Sequence, residues 1–268
     1  MITLNYKDFG QGEPVLILHG LFGTLDNWQT VAKELSAHFS VFIVDLRNHG
    51  RSPHTGGVFD YDVMAEDIAQ FMQQNWIYQA RVIGHSMGGK VAMQLALSYP
   101  DLVKKLVVVD IAPKAYRNGH DDVFAALFGL DLRTLKDRKE AEQFLMQKLN
   151  NDVGTVQFLL KNLSRKPLID TPERGDDKNV KGGSFEWKMN LQAIFDNYPY
   201  ILKNVVGDSF PKETLFIRGG QSRYIKDADT EAIHALFPKA VVEIIEGAGH
   251  WVHADKPKEL YESLMRFL

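Results

Sequence analysis

The sequence predicts an α/β protein, a mostly parallel, doubly wound sheet with a mainly helical cap inserted after the sixth strand. Three observations point there. Short apolar, β-branched runs recur along the chain, and amphipathic stretches separate many of them. The alternation then breaks off at about residue 112 and resumes only after about residue 205.

The runs are Val15 to Leu18, Val41 to Val44, Ala80 to Ile83, Leu106 to Val109, Thr214 to Ile217 and Val241 to Ile245. They lack clean polar alternation, as expected of strands covered on both faces of a parallel sheet. Between them, Asp26 or Asn27 can cap a helix that runs to about Leu35. Tyr61 to Met72 keeps helical spacing, and Ser86 to Ser98 turns Val91, Leu95 and Ala96 inward. From 112 to 205 the pattern holds helix candidates at Asp121 to Leu127, Leu135 to Leu149, Val153 to Leu163 and Asn190 to Asn197. A polar loop rich in Pro and Gly, Arg165 to Gly183, lies between the last two. The division expected is a core of 1–111 with 206–268 and a cap of 112–205 above the carboxyl edge of the sheet.

Composition narrows the function. With 45% hydrophobic and 24% charged residues the chain reads as a globular enzyme. A net charge of -3 gives no basic field for nucleic acid or for a membrane surface. The absence of cysteine excludes disulfides, thiolate metal sites and a Cys nucleophile. Neither a leader pattern nor a membrane-length apolar run occurs, so a cytoplasmic protein is expected, as monomer or homodimer, acting on a small molecule.

The chemistry concentrates in Gly84-His85-Ser86-Met87-Gly88, which follows one strand and opens a helix. Such a turn needs small flanking residues and leaves the Ser86 hydroxyl exposed at the helix N-terminus as a nucleophile; Gly89 adds room. Among nine histidines, His250 follows the last buried run in a glycine-rich loop and is the expected base, with His253 its rival. His19 and His85 read as structural. The acid is Asp110, at the tip of the strand after the nucleophile helix, where a carboxylate needs a partner. The turn at Gly219-Gly220-Gln221-Ser222 holds no carboxylate, and Asp227 and Asp229 look like a capped helix start. Backbone N–H groups of Met87 and Leu21, with Phe22 next, are the expected oxyanion donors. The polar segment Asp45 to Ser52 reads as structural, with a proton-shuttling His49 the lesser alternative.

Taken together, His19-Gly20-Leu21-Phe22-Gly23, Asp45-Leu46-Arg47-Asn48-His49-Gly50, Gly84 to Lys90, Asp110-Ile111-Ala112-Pro113 and Gly247 to His253 resemble the α/β-hydrolase superfamily, and within it the bacterial YbfF-type esterases. That resemblance implies an acid after the strand following the nucleophile helix, in agreement with Asp110. It also implies a carboxylesterase or thioesterase acting on short acyl esters, acyl-coenzyme A esters among them. No metal or organic cofactor is required. Phe22, Trp187 and Trp251 are the expected substrate-binding residues, with Phe124, Phe128 and Tyr198 as further aromatic walls. Lys161, Arg165, Lys166, Arg174 and Lys178 could meet coenzyme A phosphates, although solvated charge is the simpler reading. The alternatives are a carbon–carbon bond hydrolase or lyase on the same scaffold, and a ligand receptor of negligible turnover. A serine nucleophile argues against the dehalogenases and epoxide hydrolases of this fold, which use Asp.

Overall fold

Successive side chains of the buried runs face opposite ways, and each way lies an apolar layer. Leu16, Leu18, Val82, Val108 and Phe216 join one core, while Val15, Ile17, Ile83, Val107, Val109 and Ile217 join the other. This is why the runs show no alternation. The computed structural model describes residues 2–166 and 185–268.

In chain order the strands are β1 (Tyr6–Phe9), β2 (Pro14–Leu18), β3 (Ser40–Val44), β4 (Ala80–His85), β5 (Val103–Val109), β6 (Leu163–Arg165), β7 (Phe185–Trp187), β8 (Thr214–Gly219) and β9 (Ala240–Ile245). Seven of them form one sheet among the described residues, in the order β1-β3-β2-β4-β5-β8-β9. Only β1 is antiparallel to its neighbour. The chain leaves β2 toward β3 on one side and returns to β4 on the other. The loops after β2 and β4 therefore diverge and open the crevice in which α/β sheets bind ligands.

The helices are α1 (Gln29–Leu35), α2 (Tyr61–Gln74), α3 (Met87–Ser98), α4 (Asp121–Gly129), α5 (Arg138–Lys148), α6 (Val153–Leu160), α7 (Leu191–Ile201), α8 (Thr230–Leu236), α9 (Val252–Asp255) and α10 (Pro257–Phe267). α1 and α10 cover one face of the sheet, α2 and α3 the other, and α4 to α7 share the core of the second face. Three of the four insertion helices, α5 to α7, start at carboxylate or amide caps: Asp137, Asp152 and Asn190 accept from the N–H groups of Glu140, Thr155 and Ala193.

One expectation needs correction. One strand, β1, precedes the run at Val15, so the insertion follows the fifth strand, β5, rather than the sixth. β1 is an edge strand whose side chains are largely exposed, which leaves it no apolar signature. Among the described residues the insertion is mainly helical, as expected, with one short antiparallel ribbon in which Leu163–Arg165 pairs with Phe185–Trp187. From residue 167 onward the polar loop, with Arg174 and Lys178, lies outside the described residues.

Candidate active site

β4 delivers Ser86 to the mouth of the crevice through a strained turn. Ser86 takes φ 53° and ψ −120° as N-cap of α3, a conformation that costs on the order of 1–3 kcal/mol in a non-glycine residue. The turn closes only because its flanks lack side chains. A Cβ on Gly84 would lie 2.2 Å from the Gly88 carbonyl oxygen, and one on Gly88 would lie 2.4 Å from that of His19. The Ser86 N–H donates to the Val109 carbonyl oxygen at 3.0 Å, which ties the turn to the end of β5.

His250, on the loop between β9 and α9, reaches Ser86 and Asp110 at once. Its Nε2 is 3.0 Å from Ser86 Oγ and its Nδ1 is 2.7 Å from Asp110 Oδ2. Asp110, itself at φ 53°, is fully buried. Its carboxylate is nonetheless well provided, accepting from the Gly219 N–H at 3.0 Å and from the Ser222 hydroxyl as well as from His250. A carboxylate so supplied with donors is fixed in place to accept from the imidazole Nδ1. The ring of His250 stacks on Tyr224 at 3.8 Å, and its carbonyl oxygen accepts from His85 Nε2 at 2.8 Å.

His19, His85 and His253 have structural work. His19 Nε2 accepts from the Leu46 N–H at 3.0 Å, so its Nδ1 donates to the Gly20 carbonyl oxygen at 2.8 Å and braces the loop after β2. Burial pushes its pKa down to about 4. His85 is driven well below its ordinary pKa by burial, with His250 adding repulsion. The rival base His253 stacks on Trp28 at 4.7 Å on the far side of His85, and burial lowers it to about 3. His49 packs against His19 inside the core and does not line the crevice. The Asp45 carboxylate accepts from the N–H groups of Leu25 and Arg51 and from Asn5, so the segment 45–52 staples loops together. Asp227 pairs with Arg218 and Asp229 with Lys114, and neither bonds His250.

Ser86 and His250 open onto a cavity of about 1200 Å³ between the sheet edge and the insertion. Leu21 and Met87 line it, and their N–H groups donate to no acceptor among the described residues. Next to Leu21, Phe22 has φ 57° and its carbonyl oxygen accepts from Asn162 Nδ2 at 2.6 Å, a bond from the insertion to the loop after β2. Phe22, Tyr198 and Trp251 are walls of the cavity. Trp187 is not, because the ribbon pairs it with Leu163 beside the insertion core; Phe124 lies behind Phe22, and Phe128 faces outward. Lys161, Arg165 and Lys166 do not line the cavity, whereas Lys90, Arg117 and Arg223 do. Residues missed in the sequence include Ser222, Tyr224, Tyr116 and His120. Ser222 stood in the turn noted for lacking a carboxylate, and its hydroxyl takes that place as a donor to Asp110.

With this geometry in hand, comparison with known proteins is informative. Residues 13–257 match the family model described as alpha/beta hydrolase fold. The chain belongs to that family. Within this hydrolase family it is 40% identical over 257 residues to a putative esterase/lipase of Haemophilus influenzae, covering 95% of this chain and 83% of that one. It is 37% identical over 256 residues to the esterase YbfF of Escherichia coli K12, covering 95% and 92%. The expected YbfF-type likeness is thus present across the hydrolase core and the insertion alike. A solved marine microorganism esterase superposes with a TM-score of 0.91 at 39% identity over 100% of both chains.

Proposed function

We propose that this chain is a serine hydrolase that cleaves carboxylic esters or thioesters through an acyl-enzyme on Ser86. The observation that carries the proposal is the unbroken relay from Ser86 Oγ through His250 to a buried, fully hydrogen-bonded Asp110. His250 Nε2 takes the Ser86 proton as Oγ attacks the acyl carbonyl carbon, and the carbonyl electrons move onto oxygen. The unpaired N–H groups of Leu21 and Met87 support their role as donors to that oxyanion. The intermediate collapses as protonated His250 gives its proton to the departing alcohol or thiol. Water, deprotonated by the same imidazole, then attacks the acyl-serine and releases the carboxylic acid. The proposed cap, 112–205, supplies walls over the core formed by 1–111 and 206–268, and Phe22 and Trp251 contact the substrate. The proposed partner is therefore a small ester or thioester. Among the described residues no helix is long and apolar enough to cross a membrane.

The test is a panel of acyl p-nitrophenyl and acyl-coenzyme A esters of increasing chain length, together with labelling by a fluorophosphonate. Ester turnover with stoichiometric label on Ser86 is expected. The relative rates on the two leaving groups decide between esterase and thioesterase. Label without turnover on any ester would favour a receptor, and turnover untouched by the label would sink the proposal.

A further inference from the structure

Among the cavity residues that the hydrolytic chemistry leaves unused is a buried cation, Lys90. Lys90 sits one turn beyond Ser86 on α3, where its N–H donates to the Ser86 carbonyl oxygen at 3.1 Å. It lines the cavity although only 1% of it is exposed. Its Nζ donates to the Lys203 carbonyl oxygen at 2.5 Å, and its other two hydrogens meet no acceptor among the described residues. The rings of Tyr61 and Tyr116 flank Nζ at 5.3 and 4.8 Å. No Asp or Glu pairs with it among the described residues, and the nearest charged influence is another cation, Lys114.

A buried ammonium with two idle donors and no counter-ion is costly in a folded protein. Burial accordingly pulls its pKa down to about 7, so that near neutral pH the charge is there to be recruited by an incoming anion. The rest of the cavity says where that anion belongs. Arg117 and Arg223 also line it, each next in sequence to one ring of the Tyr116–Tyr224 pair. The cavity carboxylates Asp152 and Asp255 stand elsewhere, at the Gly154 and Gly249 backbone beside Trp251. The reacting carbonyl must sit on Ser86, and Lys90 lines the same cavity one helical turn, about 5.4 Å, further along α3, a spacing on the order of a short acyl chain.

We propose that Lys90 receives a carboxylate carried on the acyl group, so that this enzyme prefers half-esters of short dicarboxylic acids to neutral esters of the same length. The proposal rests on the hydrolase reading of Ser86. The two rings flank Nζ, and the ion pair so formed offsets the cost of burying the lysine.

The experiment compares p-nitrophenyl hemiglutarate with p-nitrophenyl valerate, which has the same acyl length and no charge. The native chain is expected to favour hemiglutarate in kcat/KM, and Lys90→Met to lower the ratio of the two values at least about tenfold, chiefly through KM. Lys90→Arg is expected to keep part of the preference. A native ratio at or below unity, or a ratio unmoved by Lys90→Met, overturns the proposal while leaving ester hydrolysis intact. If neither ester is turned over, the hydrolase reading fails instead. Calorimetric titration of the native chain and Lys90→Met with glutarate then decides the anion site: binding lost in the variant supports it, and equal or absent binding refutes it.

Discussion

On the sheet side of the cavity, position is set by backbone. Phe22, Ser86 and Asp110 hold φ values of 57°, 53° and 53°, each a departure that the surrounding structure must over-determine. On the insertion side, position is set by side chains packed on ordinary helices. Phe124 of α4 meets Phe22 at 5.3 Å and Tyr198 of α7 at 5.1 Å, His120 bonds the Tyr198 hydroxyl at 2.5 Å, and Phe158 of α6 packs on Trp251 at 5.2 Å. A conformation held by backbone strain tolerates almost no substitution, whereas an aromatic wall can be re-cut one ring at a time. On the proposed function, the reaction belongs to the loops of the sheet and the substrate range to the insertion.

The sharpest way to break this division is Ser86→Ala, expected to lower kcat/KM by about 10⁴-fold or more while circular dichroism stays native. Activity within tenfold of native would remove the sheet side from the chemistry. Asp110→Asn comes next. An amide there would offer N–H to His250 Nδ1 and leave Nε2 protonated, unable to accept from Ser86, at a cost of about 10³- to 10⁴-fold in kcat, as read from steady-state rates. Stability should respond to acid through the same side. His19 and His49 are held neutral in the fold, with pKa values of about 4 and about 3, against about 6.5 when unfolded. Below pH 6.5 the unfolded chain binds the extra protons, so stability is greatest above that pH. It falls with acidification by about 1.4 kcal/mol per pH unit for each histidine, until the folded pKa values are reached. Urea midpoints that are equal at pH 7 and pH 5 would contradict this. On the insertion side, Phe158→Ala is expected to raise KM about tenfold with kcat changed by no more than about threefold; a pure kcat loss would blur the division. The smallest effect is reserved for Ser222→Ala, which removes one of several donors to Asp110 and should lower kcat only about three- to tenfold.

The fold was legible wherever burial imposed a pattern. β2 to β5 and β8 stood out as apolar runs because both faces of the sheet are covered, while β9 stood out by its β-branched run although Val241 and Ile244 on that edge strand are exposed, and the Gly-flanked Ser86 and strand-tip Asp110 stood out because a tight turn and a buried charge each demand particular residues. β1 escaped notice because an exposed edge strand imposes no apolar requirement, and β6 and β7 because three residues are too few to show a period. Lys90 was not singled out in the sequence as a buried cation. Met87 through Ala96 are all buried, so α3 presents no polar face from which a buried cation could be told apart. Trp187 illustrates the opposite error, since an aromatic in the right segment carries no sign of which way its ribbon turns it.

The bond from Asn162 to the Phe22 carbonyl oxygen has a thermodynamic corollary. It makes the insertion and the amide-bearing loop after β2 parts of one equilibrium, and linkage works equally in both directions. If an acyl oxyanion tightens the Leu21–Phe22 turn, it must by the same amount stabilise the seated insertion. A ligand that lifts the insertion must, reciprocally, weaken the grip on the oxyanion.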